Sequence, residues 1–150
     1  MVIVRRAEPT DVSVLRAVAA AAYQGYVARI GRAPAPMTAD YAAAVRCGQA
    51  WVAVEHGQAI GLAILAPERD HLLLENIAVR PDAQGRGVGA RLLAFADEEA
   101  RRLGLPEIRL YTNEAMTENL AYYPRHGYTE TRRAEQDGFR RVFFSKRLSD

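Results

Sequence analysis

Residues 75–90 of the chain, ENIAVRPDAQGRGVGA, contain the stretch that decides the fold. The first five of them end an apolar run over residues 72–79 that predicts a strand. Residues 81–85 are typical of a turn, and apolar residues at helical spacing from about 87 to 103 predict an amphipathic helix. A strand therefore ends in a glycine-rich turn that opens a long helix.

The glycines of this turn, Gly85, Gly87 and Gly89, allow a backbone to approach a ligand closely, and the free N–H groups at a helix start point outward together. The helix dipole adds about half a positive charge there, which favours a phosphate or pyrophosphate. Arg86 offers a charge-assisted donor beside it. A tight strand-to-helix connection without a ligand remains an equally good interpretation of the turn alone.

The elements on either side of this unit define the fold class. Helices are predicted at residues 12–23, 39–46 and 117–125, and further strands at 2–5, 51–54, 59–65, 107–112, 128–131 and 139–146. The proline-rich residues 31–37 break regular structure. A hairpin sheet joined to one β-α-β crossover predicts an α+β fold, with a mixed sheet and helices on both faces.

Composition excludes several classes of function. A length of 150 residues with 49% hydrophobic and 25% charged residues fits one globular domain over residues 1–150. No apolar run approaches the about 20 residues that span a bilayer, and the single cysteine, Cys47, cannot form an internal disulfide. A net charge of +2 gives no reason to expect a nucleic-acid partner. We therefore expect a cytoplasmic protein without nucleic-acid or membrane partners.

Three phosphate-binding patterns compete for the glycine turn. A Walker A loop requires Lys and then Ser or Thr after its last glycine, whereas Ala90 and Arg91 follow here. A dinucleotide fingerprint requires G-x-G-x-x-G early in a β-α-β unit, and the glycine turn of this chain differs from it in both spacing and position. The third pattern fits: QGRGVG, residues 84–89, closely resembles the Q/R-x-x-G-x-G/A signature of the GCN5-related N-acetyltransferase (GNAT) family.

A second stretch carries the same resemblance. NLAYYPRHGY, residues 119–128, is similar to the family's N/A-x-x-L/F-Y-x-x-x-G-F/Y signature, with Tyr123 four residues before the glycine. The order of the predicted elements also matches the family. The resemblance implies a GNAT fold, with a mostly antiparallel sheet of about six or seven strands, and an acetyl-CoA-dependent N-acetyltransferase activity.

The resemblance also implies a set of cofactor-binding residues. Backbone groups of Ile77, Ala78 and Val79 would pair with the pantetheine arm of acetyl-CoA like an added strand. Asn119 is a further candidate contact, with simple helix capping as the alternative. The turn would bind the pyrophosphate through Gln84, Gly85, Arg86, Gly87, Val88, Gly89 and Ala90.

Two residues are candidates for catalysis. An alkylamine with a pKa of about 10.4 is neutral in only about one molecule in 2,500 at pH 7, so a general base assists its attack. Glu75 is the candidate base, directly or through water, and strand alternation places it on the face of Ile77 and Val79. A solvated strand-edge glutamate is the alternative. Tyr123 is the candidate general acid for the departing thiolate, whereas we interpret Tyr122 as packing.

The resemblance implies an acceptor that is an amine of a small molecule or of a protein. The proline-rich segment and the aromatic residues around it, Tyr23, Tyr26 and Tyr41, are candidates to line its pocket, and an amphipathic surface helix with its loop is the alternative. The competing function is a non-catalytic acyl-CoA-binding module. Tyr123 beside an intact turn favours the enzyme, because a binder needs no phenol. The histidines lack ligand spacing, so no metal is predicted, and a homodimer through the terminal strands is compatible with the sequence.

Overall fold

The computed structural model describes residues 1–149. Its strands are β1 (Ile3–Arg6), β2 (Ala50–Glu55), β3 (Gln58–Pro67), β4 (Leu72–Val79), β5 (Glu107–Asn113), β6 (Thr129–Gln136) and β7 (Phe139–Arg147). Its helices are α1 (Val12–Tyr23), α2 (Val27–Ile30), α3 (Tyr41–Arg46), α4 (Val88–Arg102) and α5 (Thr117–Arg125). None of the helices within residues 1–149 is long and apolar enough to cross a bilayer.

The strands form one sheet in the order β1-β2-β3-β4-β5-β7-β6. Neighbouring strands are antiparallel except β4 and β5, which run parallel because α4 crosses over between them. The α+β class, the mixed and mostly antiparallel sheet and the helices on both faces are therefore confirmed.

Two hydrophobic cores lie on opposite faces of the sheet. Leu92, Leu93 and Ala96 of α4 pack on one face, and Leu15, Val18 and Ala19 of α1 pack on the other. The sheet between the two helices supplies residues to both cores, because neighbouring residues of a strand point to opposite faces. The long central strands are buried on both sides, which explains the near-continuous apolar run of β3.

The predicted elements differ from the structure mainly at the last hairpin. We expected its first strand to end at residue 131, but β6 continues to Gln136 and pairs with β7 up to the turn at Asp137 and Gly138. β6 is an edge strand whose residues are almost all exposed, so its sequence carries no apolar alternation. Backbone pairing with β7 forms the strand instead.

The parallel pair β4 and β5 separates soon after it forms. Only Leu72–Leu74 pairs with β5, although β4 continues for five more residues. The register of β4 against β3 also shifts, so that Leu74 and Asn76 have partners on β3 and Glu75 has none. The bulge bends β4 away from β5 and opens a cleft between residues 76–79 and the end of β5.

Candidate active site

Two cavities occupy this cleft. The first, the turn cavity, has a volume of about 560 Å³ and lies between the end of β4, the glycine turn and one side of α5. The second, the loop cavity, has a volume of about 380 Å³ and lies beneath the segment Pro34–Pro36 and helix α3. Four residues line both: Tyr23, Ile77, Asn119 and Tyr123. The two cavities therefore meet at the bend of β4.

The glycine turn opens the first turn of α4 into the turn cavity. Gly85 and Gly87 have φ values of +79° and +83°, in the left-handed region that residues other than glycine rarely adopt. Gly87 precedes the helix, and among the described residues no side chain caps it. The unbonded N–H groups of the first turn, with Val88, Gly89 and Ala90 lining the cavity, form an anion-binding site.

Two side chains of the turn are bound to other groups of the protein. Gln84 lines the turn cavity, but its amide donates a 3.1 Å hydrogen bond to the carbonyl oxygen of Val79. The guanidinium of Arg86, expected beside a bound phosphate, forms an ion pair with Glu55 instead and is absent from the cavity lining. Arg86 therefore holds the turn to the β2–β3 hairpin.

The free edge of β4 offers alternate backbone groups to the cleft. The carbonyl oxygens of Ile77 and Val79 point away from β3, since they accept hydrogen bonds from Tyr23 and Gln84. The carbonyl oxygen of Ala78 lies on the opposite side, 3.1 Å from where a Cβ of Gly61 on β3 would be. Of the three residues expected to present backbone groups, Ile77 and Val79 do so, whereas Ala78 faces β3.

Tyr123 and Asn119 lie side by side where the cavities meet. Tyr123 is 6% exposed and packs edge-on against Tyr128, and burial raises the pKa of its phenol. Asn119 donates a 3.0 Å hydrogen bond to the hydroxyl of Thr112, which fixes its amide at the end of β5. Tyr123 therefore remains protonated at neutral pH, with its ring held by the core.

Glu75 lies at the bulge and lines the loop cavity. Glu75 is an exposed residue of β4, and its carboxylate forms no hydrogen bond or ion pair with the other described residues. Desolvation and then the nearby carboxylate of Glu68 raise the pKa of Glu75. The alternation expected for this strand is interrupted here, because Leu74 belongs to the α4-side core and Asn76 binds residues on the α1 side.

A chain of hydrogen bonds that the sequence did not reveal shapes the loop cavity. The hydroxyl of Tyr23 donates to Oδ1 of Asn76 at 2.7 Å, the amide of Asn76 donates to Tyr41 at 2.8 Å, and Tyr41 donates to the carbonyl of Pro36 at 2.5 Å. The one signal for it is Asn76, a polar residue in an otherwise apolar strand. The candidate pocket residues Tyr23 and Tyr41 thus line the cavity.

Tyr122 packs against the α4-side core, as expected, and it also reaches the turn cavity. It is half-buried, lines the turn cavity and lies over the start of α4, where a Cβ on Gly89 would come within 2.8 Å of its hydroxyl. Its ring centroid is 4.4 Å from that of His126, which lines the same cavity. Tyr122 therefore forms part of the wall opposite the glycine turn.

Comparisons with known proteins agree with this geometry. A family model described as an acetyltransferase (GNAT) domain matches residues 46–130. The aminoalkylphosphonate N-acetyltransferase of Salmonella typhimurium is 34% identical over 58 residues, which are 39% of this chain and 38% of that protein. The chain thus spans well under half the length of this relative.

Solved structures match over nearly the full chain. The PaiA N-acetyltransferase of Thermoplasma acidophilum in complex with coenzyme A has a TM-score of 0.82 and 18% identity, with 99% of both chains covered. The ribosomal-protein-S18-alanine N-acetyltransferase of Escherichia coli has a TM-score of 0.78 and 21% identity, covering 100% of this chain and 96% of that chain. At such identities the likeness shows the fold.

Proposed function

The chain belongs to the GNAT acetyltransferase family, and from this premise we propose that it transfers the acetyl group of acetyl-CoA to an amine by direct attack in a ternary complex. The observation that carries the proposal is the meeting of two cavities at Tyr123 and Ile77. One cavity opens onto an uncapped helix start, as an anionic cofactor needs, and the other leads to an unpaired carboxylate.

The turn cavity fits acetyl-CoA by its own chemistry. Nothing lies within 4 Å of the Cβ positions that Gly85 and Gly87 lack, so a pyrophosphate has room to approach their backbone. The N–H groups of Val88, Gly89 and Ala90 would bind it, and Gln84 and Arg86 would support the turn from either side. The N–H groups of Ile77 and Val79 would receive the pantetheine arm, with Ala78 as part of the wall.

Acetyl-CoA supplies its acetyl group as a thioester, and CoA leaves as a thiolate. Glu75 would take the proton of the acceptor ammonium, directly or through water, so that the neutral nitrogen forms the new C–N bond. Tyr123, which lines both cavities, would donate a proton to the departing sulfur as the C–S bond breaks. The proton that the new amide nitrogen then loses would restore the phenol. Asn119 would contact the cofactor beside Tyr123. The acceptor would enter through the loop cavity.

We keep both acceptor classes at this stage, a small-molecule amine and a protein amino group. The Salmonella relative is named for an aminoalkylphosphonate and the E. coli structure for a ribosomal-protein alanine. A single domain over residues 1–150, a cytoplasmic location and a homodimer stay predictions. Tyr123 at the junction favours an enzyme over an acyl-CoA-binding module, because a binder has no use for a phenol there.

A thermal-shift experiment tests the proposal first. Acetyl-CoA, CoA and NAD are added to the wild type and to Gly87→Val, whose left-handed φ of +83° a β-branched residue strains. A ligand at about 100 times its dissociation constant stabilises the fold by about 2.7 kcal/mol. A rise with acetyl-CoA that is lost in folded Gly87→Val is expected, and no rise with either CoA species would overturn the proposal.

Release of free CoA thiol in the presence of amines then separates the two functions. Turnover with an amine supports the acetyltransferase, and Tyr123→Phe serves as the catalytic control. Binding of acetyl-CoA without turnover over a wide amine panel would replace the enzyme by a binding module.

A further inference from the structure

Arg141 is a nearly buried cation in the loop cavity. It lies on β7 opposite Asn113 of β5, is 7% exposed and lines the cavity wall. Its Nη1 atom donates to Oε1 of Gln136 at 2.6 Å and lies 3.5 Å from a carboxylate oxygen of Asp137. Among the described residues, its Nε and Nη2 atoms have no hydrogen-bond partner, and the guanidinium stacks over Tyr111 at 4.3 Å.

Such an arginine is incompletely paired. The side chain of Asp137 is 79% exposed and its contact is long, so it offsets little of the cost of burying a charge. The two unused nitrogens belong to a planar fork that binds carboxylate and phosphonate oxygens in pairs. An anion in the loop cavity would therefore complete the hydrogen bonding of Arg141.

Two carboxylates also line the loop cavity. They belong to Glu75 and Asp40, and Glu75 lies one residue beyond Leu74, the partner of Leu110. Arg141 is the partner of Asn113, three residues further along β5. Glu75 is therefore about two residues, or about 7 Å, short of Arg141 along the strand direction. The two residues also lie on strands that are two positions apart in the sheet, about 10 Å at about 4.8 Å per neighbouring strand. The cavity thus has a carboxylate on its β4 side and a guanidinium on its β7 side.

We propose that the acceptor is a small amine that carries an anionic group at its other end, a carboxylate or a phosphonate. This inference rests on the proposed function. The amine lies beside Glu75, where it meets the acetyl donor, and the anion binds the free nitrogens of Arg141. A plain alkylamine would leave Arg141 unpaired and is therefore the poorer substrate.

The wild-type enzyme gives the first test. ω-Amino carboxylates of increasing chain length, their phosphonate counterparts and the alkylamines of equal carbon number are compared by kcat/KM. We expect an optimum length at which the anionic amine exceeds its alkylamine at least tenfold, and the two anionic series show which oxyanion fits. Equal values, or a preference for plain alkylamines, would overturn the inference while leaving the acetyltransferase in place. Failure of every amine would instead count against the proposed function.

Substitutions at β7 give the second test. Arg141→Gln should lower the ratio of kcat/KM for anionic over neutral amines at least tenfold, mainly through KM, and Arg141→Lys should retain part of it. Arg140→Gln is the matched control, because its side chain is 77% exposed, pairs with Glu114 and does not line the cavity. A thermal shift with acetyl-CoA verifies that each variant is folded. An unchanged ratio of kcat/KM for anionic over neutral amines in folded Arg141 variants would refute the role of Arg141. If Arg141→Gln does not fold, Arg141→Lys and the wild-type panel decide.

Discussion

The hydroxyl of Tyr23 lies 2.8 Å from the carbonyl oxygen of Ile77, where β4 has already separated from β5. The same hydroxyl is 2.7 Å from Oδ1 of Asn76, so that its one proton is shared between two acceptors. The contact ties the end of α1 to the free edge of the sheet. An edge that has lost its neighbouring strand is thereby kept in place beside both cavities.

Tyr23→Phe should destabilise the protein by about 1–3 kcal/mol, because the amide oxygen of buried Asn76 and the carbonyl oxygen of half-buried Ile77 lose their donor. Urea unfolding measures this, with acetyl-CoA at zero concentration so that binding does not contribute. Tyr26→Phe is the matched control: its hydroxyl binds the exposed Glu118, and its loss should cost less than the loss of the Tyr23 hydroxyl, because solvent screens the contact. Equal effects of the two substitutions would show that the Tyr23 contact contributes no special stability.

Gly89→Ala should weaken acetyl-CoA binding without unfolding the protein. Alanine favours the helix by up to about 1 kcal/mol over glycine, but its Cβ would lie 2.8 Å from the hydroxyl of Tyr122 and push that side chain away. Adding Tyr122→Phe removes the clashing oxygen, and the next ring atom is 3.8 Å away. The double variant should therefore bind acetyl-CoA more tightly than the sum of the two single changes in binding free energy predicts. Calorimetry measures these binding free energies. Simple additivity would contradict the contact.

Tyr123→Phe should lower kcat by about 10²- to 10⁴-fold, the usual contribution of a general acid, with little change in acetyl-CoA affinity. Tyr128→Phe is the matched control: this neighbouring phenol is also buried, but it lines neither cavity and its hydroxyl has no partner among the described residues. Steady-state kinetics with a reactive amine distinguishes the two. A similar loss in both variants would reduce Tyr123 to a packing role.

The sequence predicted the parts of this fold that local patterns determine. The amphipathic spacing of residues 87–103 and the glycine turn before it predicted α4 and its uncapped start to within one residue. The strand Leu72–Val79 and the helix Thr117–Arg125 were also predicted with their observed bounds. Each of these elements carries its own periodicity, capping or turn residues.

What the sequence could not predict arises from contacts between distant segments. The bulge at Glu75 is a shift in the pairing of β4 with β3, and no local residue pattern marks it. Arg86 was assigned to phosphate on its neighbours alone, whereas its ion pair with Glu55 spans 31 residues. Arg141 reaches the loop cavity from β7, near the end of the chain, and no local pattern marked it. Cavity-lining residues of this kind become visible only once the sheet is assembled.

The acid limb of the pH–rate profile should lie above the range of an ordinary glutamate, whose pKa is about 4.3. Glu75 must be deprotonated to act as a base, so activity rises with pH through its raised pKa. Glu68→Gln removes a neighbouring negative charge, and the limb should move to lower pH in kcat/KM. Glu75→Gln should abolish the limb. A limb that Glu68→Gln leaves in place would mean that another group controls it.

Glu118 joins the two sides of the turn cavity. It accepts hydrogen bonds of 2.7 Å from both the hydroxyl of Tyr26 and the guanidinium of Arg29, and these two donors lower the pKa of Glu118 to about 2. Because Tyr26 and Glu118 both line the cavity, the cluster bridges the segment after α1 to α5 across its mouth. Opening this bridge should speed the release of a bound cofactor.

Glu118→Gln should therefore raise the dissociation rate of acetyl-CoA severalfold at neutral pH, as stopped-flow displacement measures. A carboxylate with a lowered folded-state pKa contributes stability above its unfolded value of about 4.3 and loses it as the pH falls towards about 2. The difference in melting temperature between wild type and Glu118→Gln should shrink over that interval. Glu130→Gln is the control, since its carboxylate pairs with Arg133 on the sheet edge, far from both cavities. Equal dissociation rates in Glu118→Gln and Glu130→Gln would show that the bridge does not hold the cofactor.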